Sequence, residues 1–221
     1  MTHEEILQGL YDNTLVGNAP EVRDLVNQGL EDELEPEKML YDALIPSLEE
    51  VGARFERGDF FVPEMLIAAR AMQGALDILR PLLAETGAKP VGTYVMGTVK
   101  GDVHDIGKNL VNIMLEGAGF TVYDLGVNVA PEKFVEQVTE HEPDIVGFSA
   151  FLTTTMPMFK VNIEAIEKAG LRDKVAIMVG GAPVTQEYAD AVGADGYAAD
   201  AATAVRKAKA LLAARRATVG V

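Results

Sequence analysis

The chain has no cysteine in 221 residues, which excludes disulfides, thiolate zinc sites and iron–sulfur clusters. Tryptophan is absent too, and histidine occurs only three times, as His3, His104 and His141. No apolar run approaches the length of a membrane span. The first residues, Met1-Thr2-His3-Glu4-Glu5, are acidic and lack the apolar core of a signal peptide, so the expected compartment is the cytoplasm. Basic residues are scarce: 19 Lys and Arg face 34 Asp and Glu, a net charge of −15. That balance argues against nucleic acid, whose phosphates would be repelled, and no membrane partner is expected. It is compatible with solubility and with steering toward basic partner surfaces. Hydrophobic residues at 48% and charged residues at 24% are ordinary for a globular protein.

Two grammars divide what remains. Residues 1–86 read as helical throughout, with four helices forming a bundle. The first runs from about Thr2 to Leu15, and the second starts after Asn18 with Pro20 in its first turn. The third spans about Glu35 to Phe55, with Pro46 inside it to kink or split it. The fourth begins near Pro63. A linker rich in Gly, Pro and small residues, Glu85 to Pro90, follows, and Gly87 is its candidate hinge. From residue 91 to 221 strands alternate with helices. Strands are expected at Val91–Val99, Phe120–Leu125, Asp144–Ser149, Val175–Val179 and Asp195–Ala198. Helices are expected near Asp105–Gly117, Pro131–Glu140, Thr155–Lys168, Thr185–Ala191 and Ala201–Arg216. Five such units imply an α/β fold with a parallel sheet covered on both faces, in the flavodoxin-like order 2-1-3-4-5. Ligands of such sheets bind at the carboxyl ends of the strands, where the order reverses between strands one and three.

The segment Gly101-Asp102-Val103-His104-Asp105-Ile106-Gly107 lies at the end of the first strand. A neutral imidazole is a good transition-metal ligand. A carboxylate two residues earlier can take the other ring proton and fix the tautomer. Gly107 lets the backbone come close to something bulky. The loop after the third strand, Ser149 to Thr155, should lie beside it. Its hydroxyls can extend a hydrogen-bonded chain from His104 through Asp102, contact a ligand's tail, or only cap the next helix. Strand four ends in Gly180-Gly181, with room for a flat ligand part. Strand five ends in a run of small residues around Tyr197 and Ala198. Small residues at several strand ends outline a deep slot.

These residues carry a resemblance. Asp102-x-His104-x-x-Gly107 matches the cobalamin signature D-x-H-x-x-G. Ser149, Thr153 and Thr155 match the hydroxyl positions that follow it, and Gly180-Gly181 the closing glycines. The α/β half is similar to the cobalamin-binding domain of methionine synthase and of the corrinoid methyl-carrier proteins that serve methylamine, methanol and aryl methyl ether demethylation. Thr155 stands where methionine synthase has Ser, and Phe151 where the pattern has a less bulky residue. Val51 to Met65 resembles the helical cap of the same proteins. The resemblance implies that His104 replaces the corrinoid's own base on cobalt, and that Asp102 with Ser149 or Thr155 manages the accompanying proton. Gly101, Val103, Asp105, Ile106, Leu152, Tyr197 and Ala198 would complete the cofactor site. Phe55, Val62 and Met65 would form an apolar lid that shields a reactive cobalt–carbon bond from water.

By the same resemblance the chain is a non-catalytic methyl-carrying subunit. It would work between a substrate-specific methyltransferase and a second one that delivers to tetrahydrofolate or a thiol carrier, with a reductive activator. The length leaves no room for a catalytic barrel, so separate enzymes are expected. A cobalamin-dependent regulator is the chief rival, but no DNA-binding module is present. An adenosylcobalamin mutase subunit and a nucleotide-binding flavodoxin-like protein are further alternatives.

Overall fold

The computed structural model describes residues 1–86 and 90–219. The centre of the linker, Gly87 to Lys89, and with it the hinge expected at Gly87, lies outside the described residues. The chain forms two compact units, the first built mainly of Met1–Pro90 and the second of Val91–Glu116 and the chain from Phe120 on.

The first unit is helical. Helix α1 (His3–Leu15) starts in a reciprocal cap: the Thr2 hydroxyl accepts from the Glu5 N–H, and the Glu5 carboxylate accepts from the Thr2 N–H. Helix α2 (Ala19–Glu31) has Pro20 in its first turn. The third expected helix is instead three consecutive segments: α3 (Pro36–Lys38), a π-helical stretch Met39–Leu44, and α4 (Ile45–Arg57). Pro46 explains the division. It has no N–H to give the carbonyl four residues back, and the Ile45 N–H bonds Leu40 across the wider π turn. Helix α4 ends at Gly58 in the left-handed conformation, φ 78°, and α5 (Val62–Thr86) follows. Ile6, Leu10, Val22, Val26, Met39 and Leu44 are among the buried apolar side chains of this unit.

The second unit is a parallel sheet of β1 (Gly92–Thr98), β2 (Phe120–Asp124), β3 (Ile145–Ser149), β4 (Ala176–Gly180) and β5 (Gly196–Ala198). The strand order is β2-β1-β3-β4-β5, as the alternating pattern predicts. Helices α6 (Ile106–Gly117), α7 (Pro131–His141), α8 (Met158–Lys168), α9 (Gln186–Val192) and α10 (Ala201–Val219) connect and close the strands. Helix α8 begins three residues later than its sequence pattern indicates, because Thr155 is held in the preceding loop. The central strands β1, β3 and β4 are buried along nearly their whole length, whereas edge strand β2 is largely exposed beyond Phe120. Phe134, Phe148 and Phe159 are fully buried in one core with Val95, Val146 and Ile177. Phe134 meets Phe148 edge-on at 4.8 Å, and a buried side chain of this size contributes about 1.5–3 kcal/mol. Among the described residues no helix is long and apolar enough to cross a membrane.

Candidate functional site

Register brings the carboxyl ends of four strands level. Thr98 of β1 pairs with Ser149 of β3, Ser149 with Gly180 of β4, and Gly180 with Ala198 of β5. Strands are about 4.8 Å apart, so Ser149, Gly180 and Ala198 form one row of short side chains across the sheet's edge. β1 leaves toward β2 and β3 lies on its other side, so the loops after β1 and β3 meet beside this row.

Asp102 is where they meet. Its side chain is fully buried, and its carboxylate accepts from five donors drawn from both loops. Oδ1 accepts from the His104 N–H at 3.1 Å and from His104 Nδ1 at 2.8 Å. Oδ2 accepts from the Phe151 and Leu152 N–H groups at 2.8 and 3.1 Å, and from the Thr155 hydroxyl at 2.6 Å. The Leu152 carbonyl also lies 2.8 Å from that hydroxyl, but the single proton favours the closer, charged acceptor. Burial opposes ionisation of Asp102. The hydrogen bonds from Thr155, from the His104 ring and backbone, and from Phe151 outweigh it and hold the carboxyl well below the usual carboxylate range.

An ionised carboxylate only accepts, so His104 Nδ1 carries a proton, and in the neutral ring Nε2 is the nitrogen with the lone pair. Nε2 has no hydrogen bond to any described residue, and the His104 side chain is 45% exposed. From the core side, the buried Thr98 hydroxyl donates to the His104 carbonyl at 3.0 Å. Around the imidazole stands an apolar rim that water would not favour: Val103, Ile106, Phe151 and Leu152 are all exposed.

Of the other expected site residues, Gly101 adopts φ 85° at the loop's start. Asp105 precedes α6 and accepts from the Asn109 side chain. Gly107 is exposed, and a Cβ there would meet nothing within 4 Å. Neither the fold's packing nor a left-handed φ requires this glycine. Gly181 is the opposite case. It has φ 135°, and a Cβ would overlap the Ala150 carbonyl at the end of β3, so the sheet itself requires a glycine there. Ser149 makes no side-chain hydrogen bond to any described residue, and it is Thr155 that joins the Asp102–His104 chain. Thr155 does not cap α8. Thr153 is exposed, and Tyr197 is half-buried against the core. In the helical unit Phe55 is half-buried near the end of α4, Val62 opens α5 with 43% exposure, and Met65 one turn later is fully buried. Phe61, beside Val62, is the more exposed of the two.

Sequence reasoning looked for the partner of the β1 loop only on the β3 side. The β2–α7 loop holds it from the other. Asn128, in the left-handed conformation at φ 54°, accepts from the Gly101 N–H through Oδ1 at 2.8 Å and donates its own N–H to the Asp102 carbonyl at 2.9 Å. Lys108, buried in the first turn of α6, reaches Asp124 at 2.6 Å, and Asp124 accepts from the Gly126 N–H. An Asn four residues past the end of a strand, in a Gly-containing turn, was the available signal, since Asn tolerates this backbone.

Among the described residues no three His, Cys, Asp or Glu side chains gather as they would around a bare metal ion. One free imidazole nitrogen, fixed in tautomer, instead fits a metal that brings its other ligands with it. The apolar rim and the open space at Gly107 fit a large ring lying over that nitrogen.

Comparison with known proteins agrees with this donor set. A B12 binding domain family matches residues 92–206, and a second B12 binding domain family matches residues 6–80. The dimethylamine corrinoid protein of Methanosarcina barkeri is 46% identical over 96% of this chain and 100% of its own length. Trimethylamine corrinoid protein 2 of Methanosarcina acetivorans is 41% identical over 95% of this chain and 97% of its own. In a solved structure, the methanol:cobalamin methyltransferase complex of Methanosarcina barkeri, one chain superposes with a TM-score of 0.83 at 29% identity, over 96% of this chain and 81% of that one. The motif, the free Nε2 and these matches together establish that the chain belongs to the family of B12-binding corrinoid proteins.

Proposed function

We propose that this protein carries a methyl group on its bound corrinoid between two methyltransferases of a cytoplasmic methylamine system, with dimethylamine as the donor. The observation that carries the proposal is the geometry at His104: Nδ1 locked on Asp102 at 2.8 Å, Nε2 free and half-exposed within an apolar rim. The donor class is supported by relatives of matching length that are named dimethylamine corrinoid proteins. The partner class is supported by a relative's structure, which is a complex with a methyltransferase.

When bound, the corrinoid supplies a cobalt centre that accepts and releases the methyl group, chemistry no side chain here can perform. The chain's own residues bind, orient and hold a proton. His104, through Nε2, would be the side chain that holds the cobalt. Asp102 holds a proton at Nδ1, so that in the neutral ring Nε2 is the nitrogen with the lone pair, and it stays ionised while doing so. Thr155, Phe151 and Leu152 keep the carboxylate itself in place. Nε2 is the ring atom open to a proton whenever it holds no metal, and the negative charge of Asp102 would lie across the ring to balance it. Val103, Ile106 and Leu152, apolar and exposed in the two loops, would shield the bound group from water.

The test is reconstitution. Protein incubated with hydroxocobalamin and freed of excess by gel filtration should be coloured, and its cobalt(II) form should show one axial nitrogen by electron paramagnetic resonance. After reduction of the loaded protein to cobalt(I) with a low-potential chemical reductant such as titanium(III) citrate, a dimethylamine methyltransferase and radiolabelled dimethylamine should move label onto the protein and release monomethylamine. His104→Ala, at a half-exposed position, should fold and lose the axial nitrogen. Protein that stays colourless would overturn the reading.

A further inference from the structure

His104 has a second contact. The Phe151 ring stacks on the imidazole, with centroids 4.3 Å apart and planes 27° apart. Phe151 is also 51% exposed, so the fold gains little by burying it, and a large apolar side chain kept in water at this place calls for a local reason. The backbone supplies one. The Phe151 N–H binds Oδ2 of Asp102 and the imidazole binds Oδ1. The phenyl and the imidazole are thus fastened to opposite oxygens of one buried carboxylate, which sets their spacing.

We infer that Phe151 is a positioning residue that fixes the plane of the His104 ring and so aims Nε2 before the cofactor arrives. A hydrogen bond from Nδ1 fixes one direction and leaves the ring free to turn about the Nδ1–Oδ1 line. A face-on contact removes that remaining freedom. With both in place, the ordering that ligation requires is already present in the cofactor-free protein. The inference rests on the reading that Nε2 ligates cobalt, and its test separates the two.

The variants are Phe151→Leu, which keeps an apolar side chain without a π face, and Phe151→Tyr, which restores the face. In cofactor-free protein, the His104 ring protons should carry an upfield ring-current shift by NMR. That shift should vanish in Phe151→Leu and return in Phe151→Tyr, with urea unfolding unchanged in both. After loading with hydroxocobalamin and reduction to cobalt(II), the ratio of nitrogen-ligated to unligated cobalt should fall about two- to tenfold in Phe151→Leu, the range of an aromatic pair. The cobalt(II)/cobalt(I) potential should become less negative in step, by up to about 59 mV for the tenfold case, and Phe151→Tyr should restore both. A parent protein with no axial nitrogen would overturn the cobalt reading and this inference with it. A nitrogen-ligated parent whose ratio and potential are unchanged in Phe151→Leu would overturn the role of Phe151 alone, as would an absent ring-current shift in the parent.

Discussion

Replacing Asp102 by Asn keeps the side chain's size and halves its accepting capacity. The parent carboxylate faces only donors: three at Oδ2 and two at Oδ1. The amide oxygen of Asn will therefore take the Oδ2 place, with more donors to satisfy, and its NH2 group will take the Oδ1 place. That NH2 then meets the His104 ring. The stable arrangement moves the ring proton to Nε2 so that Nδ1 can accept, and a protonated Nε2 has no lone pair for cobalt. Ligation demands that the proton return to Nδ1, where it confronts an N–H with no acceptor. An unsatisfied donor of this kind costs about 1–3 kcal/mol, roughly one to two powers of ten in the ligated-to-unligated ratio. The same range is expected for losing an outer-shell carboxylate behind a metal-bound His.

Electron paramagnetic resonance of the cobalt(II) form measures that ratio directly, through the splitting from an axial nitrogen. The parent should be nitrogen-ligated and Asp102→Asn largely not, while both retain corrinoid and the parent's circular dichroism. A folded, corrinoid-loaded Asp102→Asn protein with an undiminished nitrogen signal would refute the tautomer argument. Stability adds a pH signature. The folded-state carboxyl of Asp102 is depressed, so its contribution is complete above the unfolded value of about 3.9 and is lost as pH falls toward the folded value. The unfolding free-energy gap between parent and Asp102→Asn should be flat from pH 8 to about 5, and should close only in acid. A gap that closed near neutrality would mean the carboxyl is not depressed.

Gly107→Ala should leave the cofactor-free protein as stable as the parent, or more stable by about 0.5–1 kcal/mol because a helix residue loses glycine's entropy cost, yet weaken corrinoid retention on gel filtration. Gly181→Ala should do the reverse in kind: with φ 135° and the Ala150 carbonyl in the way, it should lower urea stability by more than about 2 kcal/mol before any cofactor is added. Lys108→Met removes a buried ammonium whose partner Asp124 is 39% exposed. The cost should fall below the 3–5 kcal/mol or so of a fully buried broken pair, at about 1–2 kcal/mol by urea titration, and the Gly126–Asn128 turn should lose amide-exchange protection.

The parallel sheet was legible because its cause is local. Runs such as Ile145–Ser149 and Ala176–Gly180 are buried on both faces and leave no polar alternation, while turn residues cut them to strand length. Asp102 and His104 were legible for a similar reason, since two residues of spacing suffice to put a carboxylate on Nδ1. Contacts made across the fold were harder to read. Ser149 and Thr155 were equivalent hydroxyls in sequence. Only the curl of the β3–α8 loop, drawn in as the Phe151 and Leu152 N–H groups seek the Asp102 charge, selects Thr155. That same curl delays the start of α8.

Glycine shows most clearly where sequence reading ends. Gly107 and Gly181 belong to one motif set, and each can be assigned to room for a ligand. The structure separates them by what a methyl group would strike: nothing at 107, a backbone carbonyl at 181. On the proposed reading the first glycine is kept open for the corrinoid, while the second lets two strand ends come together. A pattern of residue types cannot make that distinction, because both needs select the residue without a side chain. It follows that substitution at 107 should be felt by the cofactor and substitution at 181 by the fold. The pair of alanine variants therefore tests the placement of the corrinoid independently of any spectrum: if Gly107→Ala retains corrinoid as tightly as the parent, the ring does not lie over the start of α6.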